Sequence, residues 1–226
     1  MKLWEQFDRL VVFDTETTGF SPKKDKIIEL GAVAAGPEGE LGRMDALLSL
    51  PEGRTLPPYI VELTGITDAQ LASEGVTGPK AAAEFRKLLE GAERPLLAAY
   101  NAQFDLNFLF HFLDACGMTD LLRSCRFLDV LTVYRDRRDY PHKLCDAIQA
   151  YGLGEQAVNS HRAIDDAWAA FRILEAMAAE LDDLTCYVDL FGVHPKYGVS
   201  GRKIHSITYI PQPFQREAPL YKKRKS

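Results

Sequence analysis

The order of the predicted elements indicates an α/β protein with a mixed β-sheet flanked by helices. Three apolar runs suited to strands come first, and two more then alternate with helical segments. That order is typical of a sheet with helices packed on its faces and an active site at the strand ends. The chain has 226 residues, 46% of them hydrophobic, which favours one main domain with a substantial core plus an extension.

The first half of the chain supplies the three consecutive strands. Leu10–Phe13 is too short for a helix, and a turn signal at Pro37–Gly39 separates the next two apolar segments. After the proline pair at 57–58, we expect a loop and then a short helix capped by Thr67. The predicted strands are Leu10–Phe13, Ile27–Ala35 and Ala46–Leu50.

The second half alternates helices with two further strands. A helix is predicted over Pro79–Glu90, where Gly91 marks its end. The two predicted strands are Leu96–Tyr100 and Ser124–Leu128. The other predicted helices are Ala102–Cys116, Val130–Arg137, Lys143–Tyr151 and Arg162–Leu181.

Composition excludes several classes of protein. No apolar stretch approaches the roughly 18 residues that span a membrane, and Met1–Arg9 lacks the features of a signal peptide. The four cysteines are widely spaced with no C-x-x-C pair, which indicates reduced thiols and not a zinc site or a disulfide framework. We therefore expect a cytoplasmic protein without a membrane partner.

The charge is unevenly distributed along the chain. Residues 192–226 hold eight Lys or Arg and one Glu, which leaves 19 basic and 31 acidic residues in 1–191. We interpret Gly192–Ser226, which is rich in Pro and Gly and has one predicted strand at Ile204–Ile210, as a basic extension of a main domain at 1–191. It is either a solvated end or a segment that binds nucleic acid or a protein.

The string F-D-T-E-T-T-G follows the first predicted strand. Residues i and i+2 of a strand face the same side, so Asp14 and Glu16 should point together. At about 4 Å and an effective dielectric near 20, two such carboxylates repel by roughly 4 kcal/mol, which a metal ion would offset. Gly19 permits a tight turn whose N–H groups could meet a substrate end. A strand that ends in a solvated polar turn is the alternative.

The string Y-N-A-Q-F-D follows the fourth predicted strand. Asn101 is a good helix cap, and Asp105 lies one turn along the following helix. This places Asp105 near the edge of the sheet where α/β enzymes form their sites. A favourable charge in the first turn of a helix is an equally simple explanation.

The string H-R-A-I-D-D-A begins the last predicted helix. His161 falls at the helix start, and Asp166 follows five residues later. Asp165 is rotated about 100° from Asp166, so only one of the two should reach a common site. We predict Asp166 and assign Asp165 to the solvated face. Carboxylates suit Mg²⁺ or Mn²⁺, and histidine titrates near neutral pH.

These three strings, in this order, resemble the motifs of the DnaQ-like (DEDDh) 3′→5′ exonucleases, to which the epsilon subunit of DNA polymerase III belongs. The resemblance covers about Arg9 to Leu181. It implies a ribonuclease H-like fold and two divalent cations, Mg²⁺ or Mn²⁺. The implied metal ligands are Asp14, Glu16, Asp105 and Asp166, and the implied general base is His161.

The resemblance also implies contacts with the terminal nucleotide. L-T-G-I-T resembles a loop that packs against the 3′ base, so Leu63 and Ile66 are candidate wedges. The other implied substrate-binding residues are Thr17, Thr18, Gly19, Phe20, Asn101 and Phe104. The implied activity is hydrolysis of single-stranded DNA or frayed 3′ ends to nucleoside 5′-monophosphates, in proofreading or repair.

Two alternatives remain open from the sequence. One is an RNA 3′ exonuclease of the same superfamily, because the contact with the 2′-OH that would decide this has no sequence signature here. The other is a module that binds a DNA polymerase or another replication or repair protein through the basic extension. The intact set of acidic residues argues against a purely structural role.

Overall fold

The computed structural model describes residues 1–191 and the two-residue strand Ile210–Pro211. The strands are β1 (Arg9–Thr17), β2 (Ile27–Gly36), β3 (Gly39–Leu47), β4 (Pro95–Ala99), β5 (Arg126–Asp129), β6 (Leu190–Phe191) and β7 (Ile210–Pro211). The helices are α1 (Leu3–Gln6), α2 (Pro58–Thr64), α3 (Asp68–Ser73), α4 (Gly78–Leu89), α5 (Ala102–Ala115), α6 (Val130–Arg137), α7 (Leu144–Ala150) and α8 (Ala163–Glu180). Short 3₁₀ turns occur at Thr119–Leu122 and Leu184–Tyr187.

The main sheet has five strands in the order β3-β2-β1-β4-β5. β1, β2 and β3 form an antiparallel meander, whereas β4 and β5 run parallel to β1. The long segments before β4 and β5 contain α4 and α5, as parallel neighbours require a crossover connection. The predicted mixed sheet with flanking helices is therefore confirmed.

Helices cover both faces of this sheet and build two apolar cores. One core joins Val11 and Phe13 of β1 to α4 and α5. The other joins Leu10 and Val12 of the same strand to α6, α7 and α8. Neighbouring residues of β1 thus enter opposite cores, and all positions of β2 are buried as expected for a strand covered on both faces.

The sequence predictions differ from the structure mainly in the meander and the loop after it. The third strand begins at Gly39 and not at Ala46, because this edge strand alternates exposed polar residues with buried ones and lacks a continuous apolar run. The expected loop after Pro57 contains the additional helix α2, with Pro58 in its first turn. The predicted cap at Thr67 is confirmed by a reciprocal capping box with Gln70.

The basic extension lies almost entirely outside the described residues. Of the predicted strand Ile204–Ile210, only Ile210 is described, in β7, where it pairs in parallel with Leu190 of β6. Within the described part of the chain, no helix has both the length and the apolar character needed to cross a membrane.

The first turn of α8 lies directly on β2. A Cβ atom built on Gly31 would be 2.2 Å from the backbone nitrogen of Ile164 and 2.3 Å from the carbonyl carbon of Ala163. Only glycine therefore allows this separation between helix and sheet. Gly31 pairs with Asp14 across β2 and β1, so the contact fixes the height of α8 above the end of β1.

Gly31→Ala should strongly destabilise the protein, because its methyl group would overlap the backbone of α8. We expect the free energy of unfolding to fall by about 3 kcal/mol or more, as measured by urea denaturation. Gly42→Ala in β3 is the matched control, since its Cβ would meet only Leu88 Cδ2 at 3.8 Å. Equal stabilities of the two variants would contradict the close packing of α8 on β2.

Candidate active site

The end of β1 carries two of the predicted carboxylates on one face. Asp14 pairs with Gly31 and Glu16 pairs with Glu29 on β2, so these residues share the face of the sheet that α8 covers. Thr15 points to the opposite face, towards α5. β1 therefore presents Asp14 and Glu16 to α8 and Thr15 to α5.

Asp105 reaches this edge from the first turn of α5, where it is 3% exposed. Its Oδ1 accepts two hydrogen bonds from Thr15, one from the backbone N–H at 3.1 Å and one from Oγ1 at 2.7 Å. The carboxyl group is thereby held against β1, although it comes from the other face of the sheet. Thr15, which lies between Asp14 and Glu16 in the sequence, therefore contributes to the site by orienting Asp105.

Asp166 completes the cluster from the first turn of α8. One ligand atom each from Glu16, His161 and Asp166 lie within 4.8 Å of one another. The carboxylate of Asp166 accepts hydrogen bonds from Asn159 Nδ2 at 2.6 Å and from the backbone N–H of Ser160 at 3.2 Å. The segment before α8 therefore orients Asp166 towards the end of β1.

Asp165 is turned away from this cluster. Its Oδ2 accepts a hydrogen bond from Ser160 Oγ at 2.7 Å, and the residue is only partly buried. Asp166 is 6% exposed. The structure thus brings Asp166, and not its neighbour, to Glu16, as the rotation between adjacent helical positions predicts.

His161 lies two residues before α8 and not within its first turn. Its φ of +57° is left-handed, a conformation that is uncommon for residues other than glycine. This residue lies between Ser160, which bonds both aspartates, and Arg162, which occupies the N-cap position of α8 without a side-chain capping bond. The imidazole is in this way directed to the same space as Glu16 and Asp166.

Glu29 and Arg162 also support the site, and, like Thr15, Asn159 and Ser160, they were not predicted from the sequence. Glu29 is fully buried, and its Oε1 accepts a hydrogen bond from Arg162 Nε at 2.8 Å. Its Oε2 accepts one from the backbone N–H of Ala163, also at 2.8 Å, at the N-terminus of α8. Glu29 therefore anchors α8 to β2. A lone acid inside the apolar run I-I-E-L is the signal that could have revealed it.

The electrostatics of the cluster favour a bound cation. Burial raises the pKa of Asp14 well above its usual range, and nearby Asp105 and Asp166 raise it further. Burial is also the main cause that raises the pKa of Glu16 to about 8 and that of Asp105 to about 7. The pKa of Asp166 shifts in the same direction for the same reason. A divalent cation would stabilise the ionised forms, and a set of carboxylates with one imidazole suits such an ion.

Thr17 and Thr18, which follow Glu16, form hydrogen bonds within the protein. The buried Thr17 donates from Oγ1 to the carbonyl of Gly19 at 2.6 Å, and Thr18 Oγ1 accepts from the backbone N–H of Lys26 at 3.0 Å. Gly19 has no positive φ, but its Cβ would lie 2.7 Å from Asp25 Oδ2, so any other residue would displace the Asp25 side chain. Phe20 is 81% exposed. Of this group, Phe20 is the side chain open to a ligand.

Asn101 does not cap α5 with its side chain, contrary to the sequence prediction. Its φ of +68° takes it out of the capping conformation, and Asp129 Oδ1 instead accepts the hydrogen bond from Ala102 N–H at 3.0 Å. The exposed Asn101 lines a cavity of about 300 Å³ together with Phe20 and Phe104. The rings of Phe20 and Phe104 are 6.5 Å apart and edge to face. These three predicted substrate-binding residues are therefore neighbours.

The two candidate wedge residues have different surroundings. Leu63 in α2 is 48% exposed and is available to a ligand. Ile66 is 1% exposed and packs in a small core with Ile60 and Leu71. Ile66 is therefore not positioned for the expected contact with a base. Its side chain faces inward, where it holds α2 and α3 together.

Sequence comparison matches residues 11–174 to the exonuclease family. A PolC-type DNA polymerase III of Clostridium perfringens is 34% identical over 193 residues, which cover 84% of this chain and 12% of that protein. The DNA polymerase III subunit epsilon of Treponema pallidum is 31% identical over 174 residues, 74% of this chain and 75% of the subunit.

Structural comparison identifies the same architecture in Escherichia coli exonuclease I. Its complex with a dT13 oligonucleotide has a TM-score of 0.68 at 18% identity, over 80% of this chain and 43% of that one. A zinc-bound complex of the same enzyme with single-stranded DNA has a TM-score of 0.66. The likeness shows a ribonuclease H-like fold. This chain thus spans less than half of exonuclease I and about an eighth of the PolC-type polymerase.

The raised pKa of Glu16 predicts a pH-dependent loss of stability in the absence of metal. The ionised carboxylate is disfavoured in the folded state, so its contribution to stability is present below about pH 4.5 and is lost as the pH rises towards 8. In EDTA, the free energy of unfolding of the wild type should therefore fall relative to that of Glu16→Gln over this range. Urea denaturation at several pH values measures the difference, and parallel curves for the two proteins would contradict it.

Proposed function

Because this chain belongs to the exonuclease family, and to its DnaQ-like (DEDDh) members by its motifs, we propose that it is a metal-dependent 3′→5′ exonuclease. Its substrate is single-stranded DNA or a frayed 3′ end, and its product is a nucleoside 5′-monophosphate. The observation that carries this proposal is the buried cluster of acids from β1, α5 and α8 beside His161. An acidic cluster of this kind repels a polyanion unless cations reverse its charge.

The family uses divalent metal ions, and the residues present fit such ions. Asp14, Glu16, Asp105 and Asp166 would hold two of them, Mg²⁺ or Mn²⁺, through hard oxygen ligands. When bound, divalent ions lower the pKa of an attacking water and stabilise charge on a leaving oxygen. Support comes from the burial that raises the pKa of all four carboxyl groups. Thr15 orients the carboxyl group of Asp105, and Asn159 and Ser160 orient that of Asp166.

His161 is the proposed general base. Its ring shares the space beside Glu16 and Asp166, where it can take a proton from the attacking water. An imidazole suits this role near neutral pH. The left-handed backbone at this residue supports the assignment, because such strained positions recur at functional sites.

The terminal nucleotide would lie between the end of β1 and α5. Phe20 and Phe104 offer ring surfaces to its base, and Asn101 offers amide donors and acceptors at the same cavity. The backbone of Thr17, Thr18 and Gly19 borders the terminal sugar in this proposal. Leu63 is the exposed apolar candidate that separates the last base from the next one, and Ile66 supports its loop. Only a free 3′ end would then reach the metal ligands.

DNA is the preferred substrate because the relatives concerned are a subunit of DNA polymerase III and an exonuclease I that binds a deoxyribonucleotide oligomer. RNA remains the alternative, to be compared in the same assay with a matched ribonucleotide. Association with a DNA polymerase is a further part of the proposal. The likeness to an epsilon subunit over 75% of its length supports that association.

Substitution of the two adjacent aspartates tests the site. Asp166→Asn removes a proposed ligand charge, so hydrolysis of a labelled single-stranded DNA with Mg²⁺ or Mn²⁺ should slow by at least about a hundredfold. Asp165→Asn, the matched control one position away, should retain most activity because the Asp165 carboxylate is turned from the cluster and accepts a hydrogen bond from Ser160. The wild type should be inactive in excess EDTA. Activity that depends on Asp165 and not on Asp166 would contradict the assignment.

Removal of residues 192–226 tests the basic extension. If it binds the substrate, as we propose, deletion should raise the Kd for single-stranded DNA. It should also flatten the salt dependence by about 0.7 in log–log slope for each phosphate that the extension neutralises. If the extension instead binds a polymerase, deletion should abolish co-purification and leave the binding curves unchanged. Identical binding over a range of salt concentrations would refute the role in substrate affinity.

A further inference from the structure

We call the cavity lined by Phe20, Asn101 and Phe104 the terminal-nucleotide cavity. We propose that a second groove, on the far side of Phe108 from this cavity, binds the nucleotides that lie upstream of the scissile bond. This inference rests on the proposed exonuclease function, since it concerns the path of the same single strand. We call this surface the upstream groove. It is lined by the loop after β1, the end of β3 and the outer face of α5, as shown by Lys23, Lys26, Leu48, Phe108, His111 and Phe112.

The upstream groove adjoins the cavity at Phe20 and Asn101. It has a volume of about 340 Å³, and the neighbouring cavity has about 300 Å³. Pro22 and Phe108 line both spaces. A strand whose last base lies at Phe20 can therefore continue past these two side chains without leaving the protein surface.

One helix provides an aromatic floor along both spaces. Phe104, Phe108 and Phe112 recur every four residues of α5, which places them in a row on one face. The rings of Phe104 and Phe108 are 4.9 Å apart. The row from Phe104 to Phe112 is about 12 Å long, since the helix rises 1.5 Å per residue. Phe108 itself is only 2% exposed, whereas Phe104 and Phe112 are partly exposed, so these two offer ring surface and Phe108 closes the floor between them. Stacked nucleotides advance about 3.4 Å along a strand, so roughly three would span this length.

The rim of the upstream groove is basic, in contrast to the strongly acidic first 191 residues. Lys23 and Lys26 are exposed, and no ion pair within residues 1–191 engages either of them. Asp25 also lines the groove, but its carboxylate accepts hydrogen bonds from Ser21 N–H at 2.8 Å and Thr18 Oγ1 at 3.4 Å. The two lysines are thus positioned to meet phosphates.

The chemistry of this surface matches a single nucleic acid strand. Bases of any sequence can pack on an apolar floor with aromatic rings, and cationic side chains at the rim can bind the backbone phosphates. This combination also suits an exonuclease, which must hold strands without regard to sequence. The upstream groove would add affinity for substrates longer than the terminal residues while leaving the reacting bond unchanged.

The double variant Lys23→Glu/Lys26→Glu tests the proposal against the matched control Lys24→Glu. Lys24 lies on the same loop but does not line the groove. The Kd for a fluorescent thymidine hexanucleotide and dinucleotide is measured by anisotropy in Ca²⁺, and hydrolysis of both is measured in Mg²⁺. We expect the double variant to raise the Kd of the hexanucleotide about tenfold, and that of the dinucleotide less than twofold. Its salt dependence should flatten by about 0.7 in log–log slope for each phosphate that the two lysines neutralise in the wild type.

Ala115→Trp gives an independent test. Ala115 is an exposed residue of α5 that lines the groove, and a tryptophan side chain at this position would fill the groove. It should also weaken binding of the hexanucleotide selectively. If both variants bind the two oligomers as Lys24→Glu does, the upstream groove does not bind the strand and the inference is overturned. Failure of the wild type to hydrolyse either oligomer would instead refute the proposed function, while the Kd values would still decide the role of the groove.

Discussion

The contact between the first turn of α8 and β2 is the constraint on which the arrangement of the acids depends. Gly31 lets the helix backbone approach to a distance that no side chain would allow, and Glu29 bonds to Ala163 N–H and Arg162 on either side of the helix start. Because Asp166 is one turn further along α8, this contact places it above Asp14 and Glu16. The same strand pairing that buries Glu29 therefore assembles the candidate metal site.

The site brings together carboxyl groups that repel one another when ionised, and a bound cation would offset this repulsion. Carboxyl groups from both faces of the sheet meet at the end of β1, where burial raises the pKa of Asp14, Glu16 and Asp105, and repulsion by the neighbouring carboxylates adds to the shifts of Asp14 and Glu16. Apolar cores on the two faces hold them in place despite this repulsion. Such an arrangement is typical of a functional site, in which local stability is reduced to prepare a charge for binding.

The sequence predicted the mixed sheet and the residues of the cluster because both depend on local patterns. Strand-length apolar runs indicated the sheet, and the i, i+2 spacing of Asp14 and Glu16 indicated their common face. Glu29 was missed because its importance comes from a partner 134 residues away in the chain, Ala163. The same limit applies to Asn101, whose capping role is taken by Asp129 from β5. Long-range hydrogen bonds of this kind leave no periodic pattern in the sequence.

Local sequence patterns also did not predict which side chains near the site are exposed. Ile66 follows a loop motif, but only the packing of α2 against α3 shows that its side chain is buried while Leu63 is exposed. The row of phenylalanines on α5 is visible in the sequence only as an apolar helical face. The fold shows that the face continues from the terminal-nucleotide cavity into a groove with a basic rim.

A crystal structure of the protein with Mn²⁺, with data collected at the manganese absorption edge, would show directly whether divalent ions bind at the end of β1. We expect anomalous peaks at the end of β1, among Asp14, Glu16, Asp105 and Asp166, with distances to their carboxylate oxygens typical of a divalent ion. Asp14→Asn crystals should lose this density. Peaks confined to other acidic surfaces, or a wild-type site that stays empty at saturating Mn²⁺, would contradict this expectation.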